Sequence, residues 1–481
     1  MAEPVFDPYA LSPDAVQAPP PTLWLALRKI GPGLILAGSI VGTGELIATT
    51  SAGAKAGFAL LWLVVLSCFI KVFVQIELGR YTVSSGQTTL RAFRSLPGPG
   101  AAFVWWWLVM MLVTQTQMGA MVGMVGQAFH MALPGVSPRL AGMLAGASPA
   151  AGEYLSKHPE MPWSVLTAVS TSALLATGSY RMVEWGTTAL VVIFTFMTVV
   201  CVGLLPATDH PIAAADLASG FTFQLPTASL VIAFAMFGIT GVGASELIAY
   251  PYWCIEKGYA RSTGPRDESP AWVARGRGWM RVMFADAWVS MVVYMLATVA
   301  FFLLGAAVLH KNTPEGGLPG NVEGMMRVLS LMYVPVMGQR LATWFIVIGA
   351  FAVLYSTLFA ATAGNCRTLT DFLHVNKFIR VDSHATRLRW IRGFCIVFPI
   401  ADLVLHILIG NPPLMVTIGG SIQAVTLPMI ATAAVFLRHR RTDTRITSGR
   451  IWDGMLWLSM LGMYLAAAAL LYGIWLNLTA K

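Results

Sequence analysis

The chain has 481 residues, of which 56% are hydrophobic and only 11% charged, against about 25% charged in a soluble globular domain. Together with a mean hydropathy of +0.69, this excludes a soluble globular protein and predicts an all-α, polytopic membrane protein. The formal net charge of +9 would suit a nucleic-acid partner, but the basic residues lie in short loops between apolar stretches, so the lipid bilayer is the expected partner instead.

The first 22 residues are rich in proline and alanine and contain no Lys or Arg. They lack the basic and apolar regions of a signal peptide, and a disordered cytoplasmic tail is expected over 1–22, followed by a transmembrane domain over 23–481. A spanning helix needs about 20 predominantly apolar residues. Eleven such stretches follow, at roughly 30–53, 57–79, 101–133, 162–178, 182–206, 227–257, 281–309, 340–366, 390–410, 413–437 and 453–477. The third is long for one span, and a weakly apolar stretch at 141–151 suits the membrane interface. The five cysteines, Cys68, Cys201, Cys254, Cys366 and Cys395, are scattered without paired spacing, which predicts neither a disulfide framework nor a zinc site.

Positive charge sets the orientation. Lys and Arg gather at 28–29, 80–94, 181, 257–281, 367–392 and 438–450, in every second loop. Short loops rich in Lys and Arg stay cytoplasmic, so the N-terminus is expected inside and the C-terminus outside.

Within this frame one motif occurs twice. Residues 41–48 read VGTGELIA and residues 242–249 read VGASELIA, identical at six of eight positions. The copies fall in the first and sixth spans, so five helices separate equivalent points. An odd number of helices per repeat inverts the second copy, the 5+5 arrangement of many secondary transporters, whose broken helices meet at the midplane. The repeats are expected over about 30–206 and 227–437, with the eleventh helix, about 453–477, outside them. A glycine-rich break in each helix predicts unwound backbone around a site. Carbonyls at the end of each first half would suit a cation, and Glu45 and Glu246 begin the second halves. Two carboxylates with backbone oxygens make a hard donor set, suited to magnesium, manganese or calcium. The expected metal-contacting positions are Glu45, Glu246, Gly42, Thr43, Val242 and Ser245. A helix-capping carboxylate and close packing of small residues are the ordinary alternatives.

Other intramembrane polar groups are weaker pathway candidates. They comprise Gln117, in the polar run 114–117 of the third span, Ser356 and Thr357 in the eighth, and Asp402 and His406 in the ninth. The last two are four residues apart and share a helix face, where a structural hydrogen-bonded pair competes with a proton relay. Lys71, in the second span, is expected to snorkel or to pair with an acid.

The segment 31–62, GPGLILAGSIVGTGELIATTSAGAKAGFALLW, resembles the first helix and following loop of the Nramp (natural resistance-associated macrophage protein) family of divalent metal-ion transporters. The resemblance continues through Gln75, Arg80 and Gly86, and returns at 238–241, 356–357, 363–364 and 427–428. It implies a LeuT-type fold of eleven helices. The family's ligand motifs are altered. Asp-Pro-Gly-Asn is replaced by Gly42, Thr43, Gly44 and Glu45, and Met-Pro-His by Ser245, Glu246 and Leu247. Gln117 and Ala120 stand where the family has acids that assist protons. Losing the thioether while gaining two glutamates shifts the expected preference to hard ions.

The resulting expectation is a secondary transporter of divalent cations such as Mn2+ or Mg2+, working by alternating access in a bacterial inner membrane. A small organic solute, coupled to an ion, is the alternative on the same fold. Since the chain carries no nucleotide loop, zinc spacing or nucleophile motif, neither enzyme activity nor a cofactor is expected. The metal is cargo, and proton coupling is an open possibility.

Overall fold

The computed structural model describes residues 7–30, 42–98, 100–178, 181–310 and 318–479, with the backbone alone at 23 and 181–188. Every regular element among them is a helix. In hydrocarbon each backbone N–H and C=O needs a partner within its own segment, and these apolar runs therefore close their hydrogen bonds locally.

Nine helices among the described residues are long and apolar enough to cross a membrane. The first and second expected spans run together as Gly44–Ser85, and the fourth, Met161–Thr177, is 17 residues long. In chain order the elements are α1 (Thr50–Ala56, entered through a π-helical turn Gly44–Thr49), α2 (Leu61–Ser85), α3 (Gly100–Ala132), α4 (Met161–Thr177) and α5 (Arg181–Leu204). Next come α6 (Leu230–Ile239), α7 (Ala244–Glu256), α8 (Pro270–Leu304) and α9 (Val334–Val375, kinked at Gly338). The last three are α10 (His384–Ile409), α11 (Pro412–Arg440) and α12 (Arg450–Thr479). The weakly apolar stretch forms two short helices packed on each other, Val136–Ala147 and Pro149–Lys157.

The sixth span is broken as expected, between α6 and α7. For the first span only the second half can be compared, because residues 31–41 lie outside the described residues. Two bundles meet at the break. The long α3 is wrapped by α4, α9, α10 and α11, while α2 packs on α7, α8 and α12. Small residues let the backbones close in. A Cβ on Gly238 of α6 would lie 2.2 Å from the Gly420 carbonyl oxygen of α11, so no larger residue fits there.

The face bearing the basic loops is tied by ion pairs. Arg80 of α2 bonds Glu77 at 2.9 Å and the Ile446 carbonyl at 2.7 Å, and Arg438 of α11 meets Asp453 of α12 at 2.7 Å. The N-terminal segment departs from the expected disordered tail. Over residues 7–22 it is a strap laid across this face. Tyr9 is buried, edge-on to Tyr252 at 5.4 Å, and its hydroxyl accepts from Arg387. Asp7 pairs with Arg91, and Gln17 accepts from the Trp279 indole at 3.0 Å while its N–H donates to the Ser262 carbonyl at 3.0 Å. Composition suggested disorder because it counts few apolar residues and misses these specific anchors.

Candidate functional site at the break between α6 and α7

α6 ends at Ile239 because residues 240–243 leave helical geometry. Gly241 sits at φ +62°, a left-handed conformation that glycine accepts without strain, and Gly243 is extended at the start of α7. The break leaves carbonyls at the end of α6 and N–H groups at the start of α7 without helical partners.

Glu45 is fully buried and takes up an N–H group within the break itself. It accepts from Gly241 N–H at 3.4 Å, from Gly42 N–H at 3.3 Å and from the Thr298 hydroxyl of α8 at 3.2 Å. Its carboxylate thus pins the start of the first motif copy to the break beside the second. Gly42 is in turn backed by Thr357 of α9, whose side chain would lie 2.7 Å from a Cβ placed there. Thr43 and Val242 are buried next to these groups.

Glu246 lies differently. It is partly exposed to a cavity with about 720 Å³ of empty space, lined by Trp107, Gln117, Ser245, Trp253, Asn365 and Gln423, among others. Met111 and Met118 of α3 also line it. The cavity runs along α7 and α9 in the half of the molecule that bears the basic loops. A smaller pocket of about 250 Å³, lined by Ser51, Met236 and Val416, lies on the other side of the break. Gln423 Oε1 accepts from Ser245 N–H at 3.1 Å, and Gln423 Nε2 donates to Gln117 Oε1 at 3.2 Å. A Cβ on Gly243 would stand 2.5 Å from Glu246 Oε2 and 2.8 Å from Gln423 Oε1, so both oxygens crowd this glycine at the head of α7. There the helix dipole favours negative charge.

The structure therefore gathers Gly42, Thr43, Glu45, Val242, Ser245, Glu246, Gln117 and Thr357 around the break. Ser356 bonds back to its own helix at Val353 O, 3.1 Å. Asp402 and His406 lie apart, against α3. His406 packs on Gly123, and Asp402 accepts from Gln115 at 3.1 Å, which accepts from Asn365 at 3.2 Å. No hydrogen bond joins the two, and among the described residues Asp402 Oδ2 and His406 Nδ1 have no hydrogen-bond partner. Only through Gln115 and Asn365 does Asp402 reach the cavity.

Two polar side chains at the break were not among the expected site residues. Gln423 offers one signal, a polar residue inside an apolar span. Lys71 was expected to snorkel or to pair with an acid, but it is fully buried and forms no ion pair among the described residues. Its ammonium donates to the carbonyls of Phe237 and, at 2.8 Å, Thr240, so carbonyls expected to be free for a cation are already capped.

Among the described residues no three His, Cys, Asp or Glu side chains form a metal-holding group. A hard divalent ion here would rely on one or two carboxylates, neutral oxygens and retained water, which magnesium favours. All five cysteines are free and buried.

Comparison with known proteins agrees with this architecture. The chain is 23% identical over 354 residues to an uncharacterized protein of Pasteurella multocida, covering 72% of this chain and 70% of that one. It is 31% identical over 115 residues to the divalent metal cation transporter MntH 1 of Pseudomonas aeruginosa, covering 23% of this chain and 26% of that one. In fold it is similar to the Eremococcus coleocola manganese transporter, with a TM-score of 0.65 at 14% identity over 98% of this chain and 91% of that one. It is also similar to Mhp1, a nucleobase-cation-symport-1 family transporter, with a TM-score of 0.55 at 13% identity over 92% of each. These are LeuT-type folds, and their helices cross membranes. The profile described as "Natural resistance-associated macrophage protein-like" matches residues 33–473, so the chain is an integral membrane protein of a transporter family, not an enzyme, and belongs to the Nramp family.

Proposed function

We propose that this protein is a secondary transporter that moves hard divalent cations, Mn2+ or Mg2+, by alternating access. The observation that carries the reading is Glu246, a carboxylate on the first turn of a half-helix, facing a cavity among amide and hydroxyl oxygens. It covers the α7 N-terminus, where an anionic substrate would otherwise dock, so the site selects for positive charge. The name of the Pseudomonas relative, a divalent metal cation transporter, and that of the manganese transporter of like fold support the same class. The larger cavity lies on the basic face, which is the cytoplasmic side by the positive-inside rule. This fits an inward-facing state with the N-terminus inside, in a bacterial plasma membrane.

A small organic cation is the second reading. Trp107, Trp253, Met111 and Met118 give the cavity apolar walls, the kind of surface that packs on hydrocarbon in small-molecule sites. Uptake into proteoliposomes, with Mn2+ and Mg2+ offered separately and a pH reporter inside, separates the two. The metal reading expects uptake of at least one ion, and the pH trace reports whether protons accompany it. A folded protein that takes up neither ion would overturn it in favour of the organic solute.

A further inference from the structure

Lys71 is the charge that the transporter reading leaves unused. It lies in the middle of α2, with no exposed surface, in a membrane where an unpaired ammonium is costly. Its neighbours are oxygens. Nζ donates to Phe237 O and Thr240 O, and its charge also faces the Phe237 ring, 4.8 Å from the centroid. Ser67, one turn earlier on α2, brings its hydroxyl to Phe237 O at 3.3 Å and to Thr240 Oγ1 at 2.9 Å. Two carbonyls and two hydroxyls thus converge where α6 ends, and that end carries the negative pole of the half-helix. The carboxylates that act on Lys71 electrostatically are Glu246 and Glu45, and Cys68 lies alongside, against Gly241.

Carbonyl and hydroxyl oxygens at the end of a broken helix, with carboxylates nearby, make an environment for a monovalent cation. Lysine ends in such a cation, with three donors on a flexible stem. We propose that the Lys71 ammonium is the tethered occupant of a monovalent-cation site at the α6 end, so that this chain holds its break together with no dissolved ion there. Removing the ammonium opens the site to Na+ or to a small alkylammonium. The inference holds whichever substrate the cavity carries.

The test measures the melting temperature of the detergent-purified full chain in sodium, methylammonium or choline chloride at constant ionic strength, for the native protein, Lys71→Ala and Lys71→Met. The native protein should melt alike in all three. Lys71→Ala should melt lower in choline and recover by at least about 2–4 °C in sodium or methylammonium. Lys71→Met, which fills the space without charge, should not recover. If Lys71→Ala melts alike in the three salts, or gains no more from sodium or methylammonium than the native chain does, the proposal is wrong and Lys71 is a structural cap only. If Lys71→Ala cannot be purified folded in choline, purification is repeated in methylammonium and in sodium. Folded protein recovered only with such a cation supports the site, and none with either overturns it. Because the readout is stability, failure of metal transport would leave this result untouched.

Discussion

Glu45 and Glu246 occupy the same place in two copies of one motif, yet their surroundings differ. Glu45 is sealed among three donors from three segments, at Gly42, Gly241 and Thr298. Glu246 stands at the wall of a cavity. One copy fastens the break and the other faces the cavity. Repetition in sequence marked both helices as special but did not make their carboxylates equivalent, because inversion sets the two copies against different neighbours.

The largest effect should come from Glu45→Ala, which strands buried donors in a dry site. We expect a loss of about 1–3 kcal/mol for each neutral donor left buried without an acceptor, read as a lowered unfolding midpoint in detergent. Glu45→Gln keeps an acceptor and should lose less. Glu246→Ala should change stability by less than about 1 kcal/mol while lowering divalent-ion uptake at least about tenfold, equivalent to about 1.4 kcal/mol. Equal destabilisation by both alanine variants would erase the contrast. Gln423→Leu should cost about 1 kcal/mol through its bonds to Ser245 and Gln117 and raise the KM for uptake more than it lowers kcat.

The smallest effect concerns pH and serves as a control. The side-chain hydrogen bond from Arg445 holds Asp443 below the usual carboxylate range, although burial works against it, and Arg266 and the Arg445 N–H assist. Burial alone would raise Asp7, but Arg91 and the Tyr9 N–H outweigh it, leaving its pKa lowered. Depressed carboxyls lend stability that is complete above their ordinary value of 3.8 and is lost as pH falls through the lower folded value. These loop anchors should therefore hold between pH 7 and 5. A change in transport over that interval, at constant melting temperature, would originate in groups other than these two anchors, histidines included.

Much of the fold was readable from local pattern. Apolar runs placed the helices, and the glycine-rich motif with its glutamate placed the α6–α7 break. Partners distant in sequence were not readable. Lys71 meets Phe237 and Thr240 only because α2 packs along the broken sixth span, and no spacing rule links them. Gln423 reaches Ser245 through the close approach of α11, which depends on Gly238 and Gly420. Tyr9 looked like part of a disordered tail until the ends of α7 and α10 supplied Tyr252 and Arg387.

The central claim, that Glu246 and not Glu45 faces the cargo, is most directly tested by the Mn2+-induced shift in melting temperature of the native protein, Glu246→Gln and Glu45→Gln. The account predicts a clear upward shift in the native chain and in Glu45→Gln, though from a lower baseline in the latter, and little or none in Glu246→Gln. An undiminished shift in Glu246→Gln would contradict it.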